Sequence, residues 1–145
     1  MTGGVTVCNK NRIFLSHVAE RGISIHPFKD LSNLDYSIRQ KIILSIKVID
    51  PAQECIDGGY IQILFTDGSR LKIPNHASYN CQGTVVYSLG LYSQIDKDRL
   101  KELTTKKMKA IRVDTYLNFE EEDFTDEQAA EFINELSCLW AWKSE

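Results

Sequence analysis

The chain has 145 residues, 43% of them hydrophobic and 26% charged, with eight glycines, three prolines and four cysteines. These proportions exclude a long disordered chain, a collagen-like repeat and a cysteine-dense miniature scaffold, and the length suits one domain spanning 1–145. The net charge of −3 conceals a division, because residues 113–145 hold ten of the twenty acids and one basic residue, Lys143, for a charge of −9, while the remaining 112 residues carry +6.

The first eight residues have neither a basic start nor an apolar signal core, and no apolar run approaches the ~20 residues of a membrane-spanning helix. A cytoplasmic chain without membrane association is therefore expected. Cys8, Cys55, Cys81 and Cys138 are widely and irregularly spaced, with no Cys-x-x-Cys pair, so four reduced, partly buried side chains are expected.

In chain order, Asn11 is placed to cap a short helix ending near Glu20, with Phe14, Leu15 and Val18 toward a core and Gly22 as its stop. Ile23 to His26 alternates like a strand before Pro27. Ser32 with Asp35 suits a helical turn carrying Leu34 and Ile38. The β-branched density of Ile42 to Asp50 favours a strand that ends or bulges at Pro51.

Tyr60 to Ile73 reads as a hairpin around Asp67-Gly68. A two-residue loop would set Phe65 opposite Arg70 and mix core with solvent residues. A three-residue loop, Thr66-Asp67-Gly68 with Gly68 left-handed, pairs Phe65 with Ser69, Ile63 with Leu71 and Ile61 with Ile73, and it alone yields an apolar face. Residues 75–83 read as a loop and Thr84 to Leu89 as a strand. Asp96 is placed to cap a helix bearing Leu100 and Leu103. Lys107 to Phe119 alternates as one half-buried strand, with Ile111, Val113, Thr115, Leu117 and Phe119 on one face. Thr125 to Gln128 is a capping box with Phe124 as a staple, opening a helix to about Trp140 whose apolar stripe is Ala129, Phe132, Ile133, Leu136, Leu139 and Trp140.

These elements predict an α+β fold: an antiparallel sheet, a meander of hairpins, packed by a C-terminal amphipathic helix, with a short N-terminal helix. Phe65-Thr-Asp-Gly68, Asn80-Cys81-Gln-Gly83, Lys106-Lys107 through Ile111-Arg112, and Thr125 through Leu139 together resemble small uncharacterised bacterial proteins with the same ending. The resemblance implies support for the fold and carries no activity with it.

Little in the chain points to an enzyme. His76 and Cys81 share a loop with Asn75 and Asn80, but no family signature or glycine-rich oxyanion loop accompanies them, so no catalytic residue is assigned. His17, His26 and His76 are scattered, and neither a metal nor a cofactor is expected. Lys97 to Arg112 holds seven cations against two acids, making Lys106, Lys107, Lys109 and Arg112 an alternative anion or nucleotide site. Aromatic residues do not interleave with them, which makes a nucleic-acid partner unlikely.

The acidic end is more unusual. Glu120, Glu121, Glu122 and Asp123 are expected on a loop, followed by Asp126, Glu127, Glu131 and Glu135 on the exposed face of the last helix. An ordinary solvated helix mixes Lys with Glu, yet no basic residue falls between Val113 and Trp142. The unmixed sign points either to a basic protein partner or to the chain's own basic strand. The leading expectation is a non-enzymatic binding protein, of inhibitor or immunity type, using Glu120, Glu121, Glu122, Asp123, Glu127 and Glu131, with Trp142 as an interface anchor.

Overall fold

Alternation of buried and half-exposed side chains builds strands, and there are eight of them among the described residues. The computed structural model describes Cys8 and residues 13–18, 21–30, 41–49 and 54–141. The elements are β1 (Ile13–Val18), β2 (Arg21–Asp30), β3 (Lys41–Ile49), β4 (Tyr60–Phe65), β5 (Arg70–Pro74), β6 (Thr84–Gly90), α1 (Gln94–Thr105), β7 (Met108–Asp114), β8 (Phe119–Asp123) and α2 (Asp126–Ala141). They form two four-stranded antiparallel sheets, ordered β1-β2-β3-β6 and β5-β4-β7-β8. The fold class is α+β, but a single meander is replaced by two sheets. After the β4–β5 hairpin the chain returns to pair β6 with β3, and after α1 it returns to pair β7 with β4.

Both sheets turn one face into a single apolar cluster. Ile42, Leu44, Ile46 and Val48 of β3 meet Ile61 and Ile63 of β4, Ile111 and Val113 of β7, and Phe132 and Leu136 of α2. Of the central strands β3 carries isoleucine on both faces, whereas β4 and β7 are β-branched only on the face turned to the core.

The N-terminal helix expected from Asn11 to Glu20 is not formed where the chain is described. Residues 13–18 are β1, which pairs Ile13 with Ile25 and Leu15 with Ile23, and both β1 residues are buried. Pairing with β2 overrides a weak helical signal. Asn11, Glu20, the Ser32–Asp35 turn, Pro51 and Trp142 lie outside the described residues. Pro27 sits within β2 opposite Leu44.

The hairpin register is the one selected by the apolar pattern. Ile61 pairs with Ile73 and Ile63 with Leu71, Phe65 donates to Ser69 across 2.9 Å, and Gly68 has φ +88°. The C-terminal helix and its capping box also form: the Thr125 amide donates to Gln128 Oε1 at 2.8 Å and the Gln128 amide to Thr125 Oγ1 at 3.1 Å. Phe124 meets Phe132 at 6.3 Å between ring centroids. Two residues of α2 are exchanged relative to expectation, since Trp140 is exposed whereas Glu135 is buried. The cap of α1 is Ser93 rather than Asp96, with Ser93 Oγ accepting from the Asp96 amide. Asp96 sits in the first turn, where the helix dipole favours it.

The cysteines are paired, not reduced. Cys8 is bonded to Cys138 across a sequence separation of 130, and Cys55 to Cys81 across 26. Disulfides persist chiefly in oxidising compartments, so the cytoplasmic expectation loses its support from the cysteines. Among the described residues no helix is long and apolar enough to cross a membrane.

The Cys8–Cys138 bond closes nearly the whole chain on α2. Cys138→Ser is expected to lower the melting temperature by roughly 15 °C, corresponding to about 5 kcal/mol of loop-closure entropy for a separation of 130 residues. Scanning calorimetry without reductant checks this, and an unchanged melting temperature would remove the staple from the account. The glycines offer a graded comparison. Gly68→Ala meets open space and suffers only its positive φ, about 1 kcal/mol. A Cβ at Gly83, with φ +74°, would lie 2.0 Å from the Val48 carbonyl oxygen and break the β3–β6 edge. Urea titration should therefore show Gly83→Ala losing several times what Gly68→Ala loses.

Candidate functional site

The long alternating segment after α1 is not one strand but two. Thr115 donates to the Asn118 carbonyl at 2.9 Å, closing a turn that sends Phe119 to Asp123 back along β7 as the edge strand β8. The turn is braced from β4's approach, where Glu54 Oε1 accepts from Thr115 Oγ1 at 2.9 Å and from the Leu117 amide at 2.6 Å. Leu117, expected on the apolar face, is 81% exposed. The Glu120 to Asp123 run is therefore strand and not loop. Four consecutive acids on an edge strand also have a plain structural use, since charge there discourages pairing with another sheet.

Register sorts these acids. Glu120 pairs with Val113 and Glu122 with Ile111, both core residues, so the two carboxylates are on the inward side, half-buried and already engaged within the chain. Glu121 pairs with Arg112 on the outward side, where Arg112 Nε and Nη2 each reach Glu121 Oε1 at 3.2 Å. At the start of α2, Lys107 Nζ lies 2.7 Å from Asp126 Oδ1. Both pairs are well exposed and each contributes at most about 1 kcal/mol. Acidic and basic stretches thus do meet, at two points. Asp123, Glu127 and Glu131 are exposed and make no ion pair among the described residues. Glu127 and Glu131 border a shallow recess on α2 of about 510 Å³ that also involves Ala130, Asn134 and Cys138.

The basic alternative is largely consumed internally. Lys106 Nζ lies 3.0 Å from Glu102 Oε1 and 3.6 Å from Asp67 Oδ2; the Glu102 hydrogen bond above all holds its pKa above the usual lysine value. Lys107 and Arg112 are taken as described, which leaves Lys109 as the member of that set without an ion pair among the described residues. No phosphate-sized ring of free cations results.

The Cys81–His76 reading fails on chemistry, because Cys81 Sγ is bonded to Cys55 and is not a thiol. Asn75 and Asn80 brace the loop instead: Asn75 Oδ1 accepts from Ala77 and Val86, and Asn80 Oδ1 from Gln82 and Thr84. His76 Nδ1 accepts from the Ser88 amide at 3.2 Å and its ring lies 4.8 Å from that of Tyr87. Among the described residues no group of three or more His, Cys, Asp or Glu side chains is disposed to hold a metal ion.

Tyr87 is the centre of a polar cluster that was not visible as a motif. Its ring is buried, its hydroxyl donates to Asp96 Oδ1, and it accepts from Arg99 Nη1; Asp96 Oδ2 accepts from the Gly90 amide at 2.9 Å. Burial first, then the Asp96 hydrogen bond, push the phenol up to about 12. The arrangement joins β6 to α1. No family model matches the chain, and no curated protein or solved structure matches it either.

The Tyr87 hydroxyl can be tested separately. Tyr87→Phe leaves Asp96 and Arg99 one hydrogen bond short each and should cost about 1–2 kcal/mol. Because the native pKa exceeds the ordinary tyrosine value near 10, this contribution is complete below pH ~10 and fades as pH rises toward ~12. Urea titrations from neutral to alkaline pH should show the wild-type advantage over Tyr87→Phe shrinking across that window. A constant difference would exclude the titration.

Proposed function

We propose that the chain is a non-enzymatic binding protein, of inhibitor or immunity type, that presents an acidic C-terminal surface to a basic macromolecular partner. The observation carrying this reading is the division among the carboxylates. Glu121 and Asp126 are neutralised by Arg112 and Lys107, whereas Asp123, Glu127 and Glu131 are exposed and have no cation paired with them among the described residues. Carboxylates left unneutralised on an ordered strand end and helix face raise the local negative potential, which steers a positively charged surface into place. Glu127 and Glu131 are one helical turn apart beside the small residues Ala130 and Asn134, so the face is shallow and accessible to long basic side chains. The unmixed sign supports the same reading, because solubility alone is served equally well by interspersed Lys and Glu. Glu120 and Glu122 drop out of the surface as proposed from sequence, since they lie inward.

Kinetic measurement against a lysine-rich peptide tests the reading. Reversing Asp123, Glu127 and Glu131 to lysine should slow association by at least about tenfold at low salt while changing dissociation much less. Glu121→Gln, which removes a carboxylate already paired inside the chain, should have a small effect. Wild-type binding that is absent, or indifferent to salt, would overturn the proposal.

A further inference from the structure

The outward face of the β5-β4-β7-β8 sheet has its own charge layout. Across its middle row, Lys72 of β5 pairs with Gln62 of β4, Gln62 with Arg112 of β7, and Arg112 with Glu121 of β8. In the row toward the hairpin turn, Arg70 pairs with Leu64, Leu64 with Ala110 and Ala110 with Asp123. In the row toward the β7–β8 turn, Pro74 pairs with Tyr60, the Tyr60 amide donates to Asp114 at 2.9 Å, and Asp114 pairs with Phe119. One edge of the face is therefore basic and the other acidic. Arg70, Lys72, Tyr60, Phe119, Glu121 and Asp123 are all exposed.

We infer that this face binds a second copy of the same chain, sheet on sheet, about a two-fold axis running parallel to the strands. Such an axis lays β5 of each copy over β8 of the other and β4 over β7. Arg70 then faces the second copy's Asp123, and Lys72 faces its Glu121, on both sides of the axis. The same operation sets Phe119 over Pro74 and Leu64 over Ala110. A two-fold axis perpendicular to the strands would instead put basic β5 on basic β5 and acidic β8 on acidic β8. Charge complementarity therefore chooses both the partner and the axis, since an isologous contact needs a surface complementary to itself.

Two further features suit the face to this use. Lys72 Nζ lies 4.2 Å from the Tyr60 ring centroid and Arg112 Cζ 4.0 Å from that of Phe119, so the long side chains are held by their neighbours and lose less freedom on contact. At the β7–β8 turn Tyr116 is 61% and Leu117 81% exposed, extending the apolar end of the contact. A phosphate backbone would meet Glu121, Asp123 and Asp114 on half of the face, which disfavours nucleic acid there. Four strands about 4.8 Å apart with three outward residues each present a footprint of roughly 400 Å² per copy, about half that of a standard stable interface. The dimer is accordingly weak, with a dissociation constant on the order of 100 μM. Glu127 and Glu131, on α2, lie outside this contact while Asp123 is common to both surfaces, so reversing Glu127 and Glu131 alone tests the binding function proposed above without touching the dimer.

Sedimentation of the full oxidised chain over a concentration series to about 1 mM tests the inference. At low salt the average mass should rise from 16.6 kDa toward twice that value, and added salt should reverse the rise. Arg70→Glu with Lys72→Glu makes both edges acidic, and Glu121→Lys with Asp123→Lys makes both basic; each variant alone should associate at least tenfold more weakly. Mixing the two variants should restore association, because each edge then meets its opposite. Should the second variant fold poorly, as circular dichroism would show, the single exposed changes Arg70→Glu and Asp123→Lys supply the same exchange. A chain that stays monomeric throughout, association untouched by either reversal, or reversed variants that do not rescue each other would each overturn the proposal.

Discussion

One apolar core shared by two sheets is the constraint from which the rest of this molecule follows. Because Ile61, Ile63, Ile111 and Val113 must face inward with Ile42, Leu44 and Ile46, the residues between them have no choice but to face out. The outward set is then fixed in order as well as in direction, since register carries Gln62 to Arg112 and Arg112 to Glu121. A slip of one residue in β7 would bring Arg112 into the core and expose Ile111, and the cost of burying that guanidinium is far larger than any surface pair could return. Surface charge here is arranged by the interior.

The polar elements that do reach inward are those with a partner in place. Tyr87 carries its hydroxyl to Asp96 and Arg99 at the edge of the core, and the same aspartate receives the Gly90 amide, so β6, its exit turn and the first turn of α1 are held by one carboxylate. The disulfides act on a different scale. Cys55–Cys81 joins the segment before β4 to the loop before β6, and Cys8–Cys138 joins the beginning of the chain to α2. They connect parts that the two sheets alone leave at the periphery.

The binding proposed for this chain is carried by surface carboxylates. Seven of the acids fall into three groups with different physical standing: Glu120 and Glu122 turned inward and engaged, Glu121 and Asp126 paired with the chain's own cations, and Asp123, Glu127 and Glu131 outward. Only the third group is available to steer another molecule without first breaking an existing contact. The proposed self-association draws on Glu121 and Asp123 along one sheet edge, whereas the proposed basic partner meets Asp123 together with Glu127 and Glu131 on the helix beyond it.

Much of this was legible in the residues themselves. Local chemistry determined the β4–β5 hairpin and its left-handed Gly68, because a single register gives a clean apolar face. It determined α2 and its capping box, because a hydroxyl and an amide side chain three residues apart satisfy helix-end donors whatever surrounds them. The division of charge along the chain needed no structure either. Tertiary structure decided the rest. Ile13 to Val18 became a strand because β2 offered it a partner, and Phe119 to Asp123 became an edge strand, against poor intrinsic propensity, because β7 did. The cysteines paired across separations that no spacing rule reads, and Cys81 lost its thiol by doing so. Which carboxylates remained open was set by cross-strand neighbours distant in sequence, since Coulomb pairing depends on where side chains lie and not on where they stand in the chain.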